Sequence, residues 1–122
     1  MDKAQAIQAF WEQFKLPAYD ETTVPDDAQM PYITYSVSTG EMGTPILQGA
    51  SLWYRSNSWK EITQKAEEIA EYIYMMYPPT LKLDTGRLYF FRDTPFLQRM
   101  SDPDDTVRRI RFNLYAEFLT AY

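Results

Sequence analysis

Three carboxylates, Asp102, Asp104 and Asp105, stand just ahead of three guanidinium groups, Arg108, Arg109 and Arg111, in the run SDPDDTVRRIRFNLYAEF. Oxygen ligands this close together suit Ca²⁺ or Mg²⁺, but a calcium loop needs a twelve-residue frame with a central glycine and a closing glutamate. The run lacks that frame, so the acids are expected to form a proline-containing turn. The arginines with Tyr115 suit a basic, aromatic face for single-stranded nucleic acid. That chemistry needs positive charge along a track, and Asp102, Asp104, Asp105 and Glu117 interrupt it. A third use is recognition of another protein, where a guanidinium meets a carboxylate and charge sets the register.

Catalysis has little to work with. The chain has no cysteine and no histidine, which rules out disulfides, Cys/His zinc sites, thiol nucleophiles, a Ser-His-Asp triad and the commonest general base. The remaining carboxylate pairs, Asp20 with Glu21 and Asp26 with Asp27, fall in a loop and read as solvated charges rather than an acid–base couple. There is no phosphate-cradling glycine loop and no nucleophile elbow. The expectation is a protein with no enzymatic activity and no cofactor.

Net charge is −5, the opposite of what a phosphate-binding protein usually carries. Aromatic residues make up 16% of the chain, ten of them tyrosines. Tyrosine is enriched where a surface is packed on one side and wet on the other, as at subunit interfaces. No apolar run reaches the ~20 residues that cross a bilayer, so no membrane partner is expected. The opening MDKAQAIQAFWEQF lacks the basic and apolar blocks of a signal peptide, and an intracellular product is expected.

The elements that must position these residues follow from periodicity. Ile7, Phe10, Trp11 and Phe14 form one stripe of a helix over Lys3–Lys15, with Asp2 and Gln5 as a capping box and Pro17 as a stop. PYITYSVS predicts a strand with Ile33, Tyr35 and Val37 on one face. The glycine-rich GEMGTPILQG predicts a mobile hairpin arm carrying Met42, Ile46 and Leu47. ASLWYRS is the return strand, with Leu52 and Tyr54 opposing Trp53 and Arg55; the sequence leaves open which pair is buried. Ser58 with Glu61 predicts a second capped helix, striped by Trp59, Ile62, Ala66, Ile69, Ile73 and Met76 and ended by Pro78 and Pro79. Glu67, Glu68 and Glu71 form its solvated side. Short strands follow at LKL, RLYFF and FLQRM. In the last strand Ile110, Phe112, Leu114, Ala116 and Phe118 alternate with Arg109, Arg111, Asn113, Tyr115 and Glu117. One α+β domain is expected, in the order α-β-β-α-β-β(-β), with two helices on one face of a mostly antiparallel sheet. The uncovered face would carry Arg109, Arg111 and Tyr115.

Three blocks give the chain a resemblance to a known family: LPAYDETTVPDDAQMPYITYS (Leu16–Ser36), SLWYRSNSWKEI (Ser51–Ile62) and PFLQRMSDPDDTVRRIRFNLYAEF (Pro95–Phe118). They resemble the tail terminator, or tail completion, proteins of long-tailed phages with non-contractile tails. The chain departs from that pattern at MMYPPT after the second helix and at the DT before PFLQ, where glycines are expected. The resemblance implies an α+β subunit of a ring, typically a hexamer, that caps the growing tail tube, fixes its length and offers a surface for joining the head. It implies as partners the chain itself, the tail tube protein and head–tail connector proteins, with DNA only as cargo in the channel. It places the protein in the virion tail or neck, and in the host cytoplasm during assembly. The family has no active-site residues to carry over.

Under that resemblance Arg108, Arg109, Arg111 and Tyr115, together with Asp102, Asp104 and Asp105, are the candidate subunit interface. The arginines would pair with those acids within a subunit or across to a neighbour. Met42, Ile46 and Leu47 would serve as an arm that orders against a neighbour. The nearest alternative is another neck component, a head-closure or head–tail adaptor protein. The alternative from a different class is a nucleic-acid-binding α+β domain.

Overall fold

The computed structural model describes residues 1–120. Two helices and seven strands follow in the order α1 (Lys3–Glu12), β1 (Ala18–Asp20), β2 (Tyr32–Tyr35), β3 (Ile46–Leu47), β4 (Ala50–Arg55), α2 (Lys60–Met75), β5 (Thr80–Leu83), β6 (Gly86–Met100) and β7 (Val107–Thr120). The strands form one sheet, β1-β2-β4-β7-β6-β5, and β3 pairs with β7 beyond the end of β4. All pairings are antiparallel except β1 with β2. Among the described residues no helix is long and apolar enough to cross a membrane.

The expected α+β arrangement is what forms. Both helices pack on one face, because the inward residues of β2, β4, β6 and β7 share a core with both helical stripes: Ile33, Leu52, Phe90 and Phe112 join Trp11 and Ile69 there. The α1 stripe is as its spacing predicts. Asp2 accepts from the Gln5 amide while the Gln5 side chain accepts from the Asp2 amide, closing the capping box. The helix ends earlier than Lys15, at Glu12, and Lys15 takes a positive φ of 66° that turns the chain toward β1.

Three expectations need correction, and two short strands are additional. The Ser58–Glu61 capping box does not close: Trp59 occupies the N-cap of α2 without a side-chain bond, and Ser58, one residue further out, accepts only from the first helical amide, that of Lys60. The strand at PYITYSVS stops at Tyr35, leaving Val37 exposed, because Ser36 and Ser38 turn their backbone groups to Gly49 and to the buried Gln48 side chain. RLYFF and FLQRM are not separate strands. They are two halves of β6, joined across an irregularity between Arg92 and Leu97 that contains Pro95; a proline cannot donate to the ladder and displaces the register there. The strands β1 and β3, of three and two residues, are too short for periodicity to show.

Strand β4 settles the question its sequence leaves open. Ala50 and Leu52 are buried and Tyr54 packs against the core, whereas Trp53 and Arg55 point away from the helices.

Candidate functional site

The sheet face without helices is the candidate site. Alternation along β7 places Arg109, Arg111, Asn113, Tyr115 and Glu117 on it, all half-buried. The cross-strand register then assigns their neighbours. Arg109 lies between Trp53 of β4 and Met100 of β6, and Arg111 between Ser51 and Gln98. Tyr115 lies between Leu47 of β3 and Phe91 of β6.

Two aromatic rows result, with a polar band between them. In the first, Tyr19 meets Tyr32 edge-on at 5.6 Å, Tyr32 lies 6.4 Å from Trp53, and the Arg109 guanidinium covers the Trp53 ring at 4.7 Å. In the second, Leu47 pairs with Tyr115, whose ring stacks on Phe91 at 5.2 Å, and Phe91 meets Tyr77 edge-on at 6.2 Å. Between the rows, buried Thr34 accepts from the Trp53 indole at 2.9 Å and buried Ser51 accepts from Arg109 Nε at 3.0 Å. Asn113 donates to Gln98 and to the Pro95 carbonyl.

Arg109 and Arg111 meet no carboxylate within ion-pair distance among the described residues. Burial and the neighbouring charge of Arg111 both disfavour the Arg109 cation, and Glu21 and Asp102 offset this only from a distance. Arg111 lies across Gly49. A Cβ there would sit 2.7 Å from the Phe112 carbonyl oxygen and 2.9 Å from Arg111 Nη2. Gly49→Ala is therefore expected to lower stability by ~1–3 kcal/mol through overpacking against backbone and to displace Arg111, measured by chemical denaturation. An unchanged midpoint would contradict that close approach.

The expected pairing of the arginines with the acids of the same chain does not form. Asp102 and Asp104 instead build the β6–β7 turn. Asp102 Oδ1 accepts from the Asp104 amide, and Asp104 Oδ1 from the Thr106 amide at 2.9 Å and hydroxyl at 2.7 Å. The ion-pair partner of Asp104 is Arg55, at 3.2 Å. Asp105 contributes its backbone carbonyl to Arg108. Arg108 also leaves the group: with Ile110 it points to the helix-bearing face, where it covers the Trp59 ring at 5.4 Å and donates to the Asn57 carbonyl.

The two Thr106 hydrogen bonds, followed by Arg55, hold the Asp104 carboxyl down from an ordinary 3.8 to about 2. A carboxylate whose folded pKa is depressed stabilises the fold above its unfolded pKa and ceases to do so as pH falls through the folded one. The turn should thus keep the Thr106 amide protected through pH 4 and lose that protection as pH approaches 2. Amide exchange followed against pH reads this directly; loss already complete at pH 4 would contradict it.

The arm is better anchored than its glycines suggest. Ile46 pairs with Ala116 and packs against the core, the Gln48 amide donates to the Leu114 carbonyl, and the Gly43 amide donates to the Phe118 carbonyl. Met42 and Leu47 stay exposed, at 65% and 69%. Residues that periodicity did not single out, namely Tyr19, Tyr32, Trp53, Phe91 and Tyr77, complete the face. Alternation in ASLWYRS and RLYFF carries Trp53 and Phe91, once the buried side of each strand is fixed.

No family model matches the chain, and no curated protein matches it. Among solved structures, the fold is similar to that of a chain in the virion of a native gene transfer agent particle. The two superpose with a TM-score of 0.61 over 93% of this chain and 95% of the other, at 17% identity. At that identity the likeness is one of fold.

Proposed function

We propose that this chain is a structural protein of a phage or phage-like virion, a tail terminator whose copies form a ring that caps the tail tube, ends its growth and presents a surface for joining the head. The observation that carries the reading is the whole-length likeness of fold to a chain of a gene transfer agent virion. It stands beside the three sequence blocks that resemble tail terminators. The open face supports it further. Tyr, Trp, Phe, Met and Arg are the residues enriched in protein interfaces, and this face holds all five, in two rows around unmatched arginines. A non-enzymatic role fits a site built from stacked rings and guanidinium groups, without histidine or cysteine.

The ring places the protein in the virion tail or neck, with the tail tube protein on one side, the head–tail connector on the other, and DNA passing through the channel. The copy number, a hexamer, rests on the family resemblance. Purified protein examined by mass measurement and electron microscopy, alone and with purified tail tubes, should form closed rings or caps on tube ends. Protein that stays monomeric in both settings would overturn the ring.

A further inference from the structure

We infer that the open sheet face of one copy receives the outer side of α2 from the next copy, with Arg109 and Arg111 meeting Glu67 and Glu71. This deepens the ring proposal and rests on it. The two surfaces are complementary in charge and in order. On the sheet, Arg109 and Arg111 have no carboxylate within ion-pair distance among the described residues, and the apolar row of Tyr115 and Phe91 follows toward the C-terminal end of β7. On α2, the buried stripe of Ile62, Ala66, Ile69 and Ile73 faces the core, which leaves Glu67 and Glu71 exposed on the opposite side. Tyr74 and Met75 come next, 68% and 73% exposed.

The spacings agree. Glu67 and Glu71 are one turn apart, ~6 Å along the helix, and Arg109 and Arg111 are ~7 Å apart along the strand. With α2 laid parallel to β7 of the neighbour, the acids reach the arginines and the exposed Tyr74–Met75 end runs toward the Tyr115–Phe91 row. Glu68 remains with Lys65 of its own helix, at 2.6 Å. The two patches differ, so the contact is head-to-tail, which closes into a ring when the rotation between copies permits. Within the monomer the Arg92 guanidinium lies over the Tyr74 ring at 5.8 Å, yet Tyr74 and Met75 stay largely exposed together, as a surface that docks against a partner does.

The test is a charge exchange read by sedimentation and electron microscopy, with and without tail tubes. Arg111→Glu alone and Glu71→Arg alone should each weaken association at least about tenfold, since like charges then face each other. The double variant, Arg111→Glu with Glu71→Arg, should restore rings. So should an equal mixture of the two single variants, in which the copies alternate. Single variants that assemble like the parent, or a double variant and a mixture that stay as weak as the singles, would overturn this interface while leaving the ring standing. A parent protein that never associates, even on tubes, would instead remove the ring itself and this contact with it.

Discussion

Trp11→Ala should destabilise the fold by ~3–5 kcal/mol, the usual loss for deleting a buried large aromatic. Trp11 is 1% exposed and lies where α1 meets the sheet. Its ring contacts Phe10 edge-on at 5.0 Å, Phe112 of β7 at 5.7 Å, Phe14 at 6.0 Å and Phe90 of β6 at 6.5 Å. Removing it strips a contact from each of these four rings and opens a cavity that the strands beneath cannot readily close. A single domain is typically stable by about 5–15 kcal/mol, so the variant should unfold at much lower denaturant and lose all higher assembly as a consequence. Trp11→Phe should cost clearly less. A loss below ~1 kcal/mol for the alanine variant would mean that α1 is not keyed to the sheet through this residue.

The second large effect concerns assembly rather than folding. Changing Arg109 and Arg111 together to alanine should leave the monomer folded, because the core lies on the other side of the sheet, while ring formation fails. Within the monomer the change removes the Arg109 bond to Ser51, its contact with Trp53 and the packing of Arg111 over Gly49, all on the face away from the core. The same variant separates the structural reading from nucleic-acid binding. Two arginines beside stacked aromatics resemble a single-strand platform. A phosphate-binding protein, however, would show affinity for single-stranded DNA that falls steeply with salt and drops further in the variant. The structural reading expects no such affinity in the parent protein and a circular dichroism spectrum shared by both. Salt-dependent binding that disappears with the arginines would favour the competing function.

Some of this was legible in the residues alone and some was not, for identifiable reasons. Strand β7 alternates cleanly over the ten residues Arg109–Phe118, so both of its faces could be assigned. The same period places Arg108 with Ile110, on the covered side; adjacency in sequence nevertheless grouped it with Arg109. Large residues occupy both sides of β4, so hydrophobicity alone could not orient it. Pro95 breaks the alternation of β6 and makes one strand look like two. The fate of Asp102 and Asp104 turned on a competition: carboxylates next to a turn satisfy nearby backbone amides before they reach a side chain further on. Arg55, distant in sequence, is brought to Asp104 by strand pairing, and no local pattern announces that. Nor does any local pattern announce that residues from six strands and the turn after α2 make one face.

Whether this protein ends tail growth can be read from electron micrographs of particles made by a phage or induced prophage lacking its gene. Abnormally long tails with heads unattached are the expected result. Tails of normal length beside unsealed or tailless heads would move the protein to the head side of the neck, and unchanged, infectious particles would contradict a role in assembly altogether.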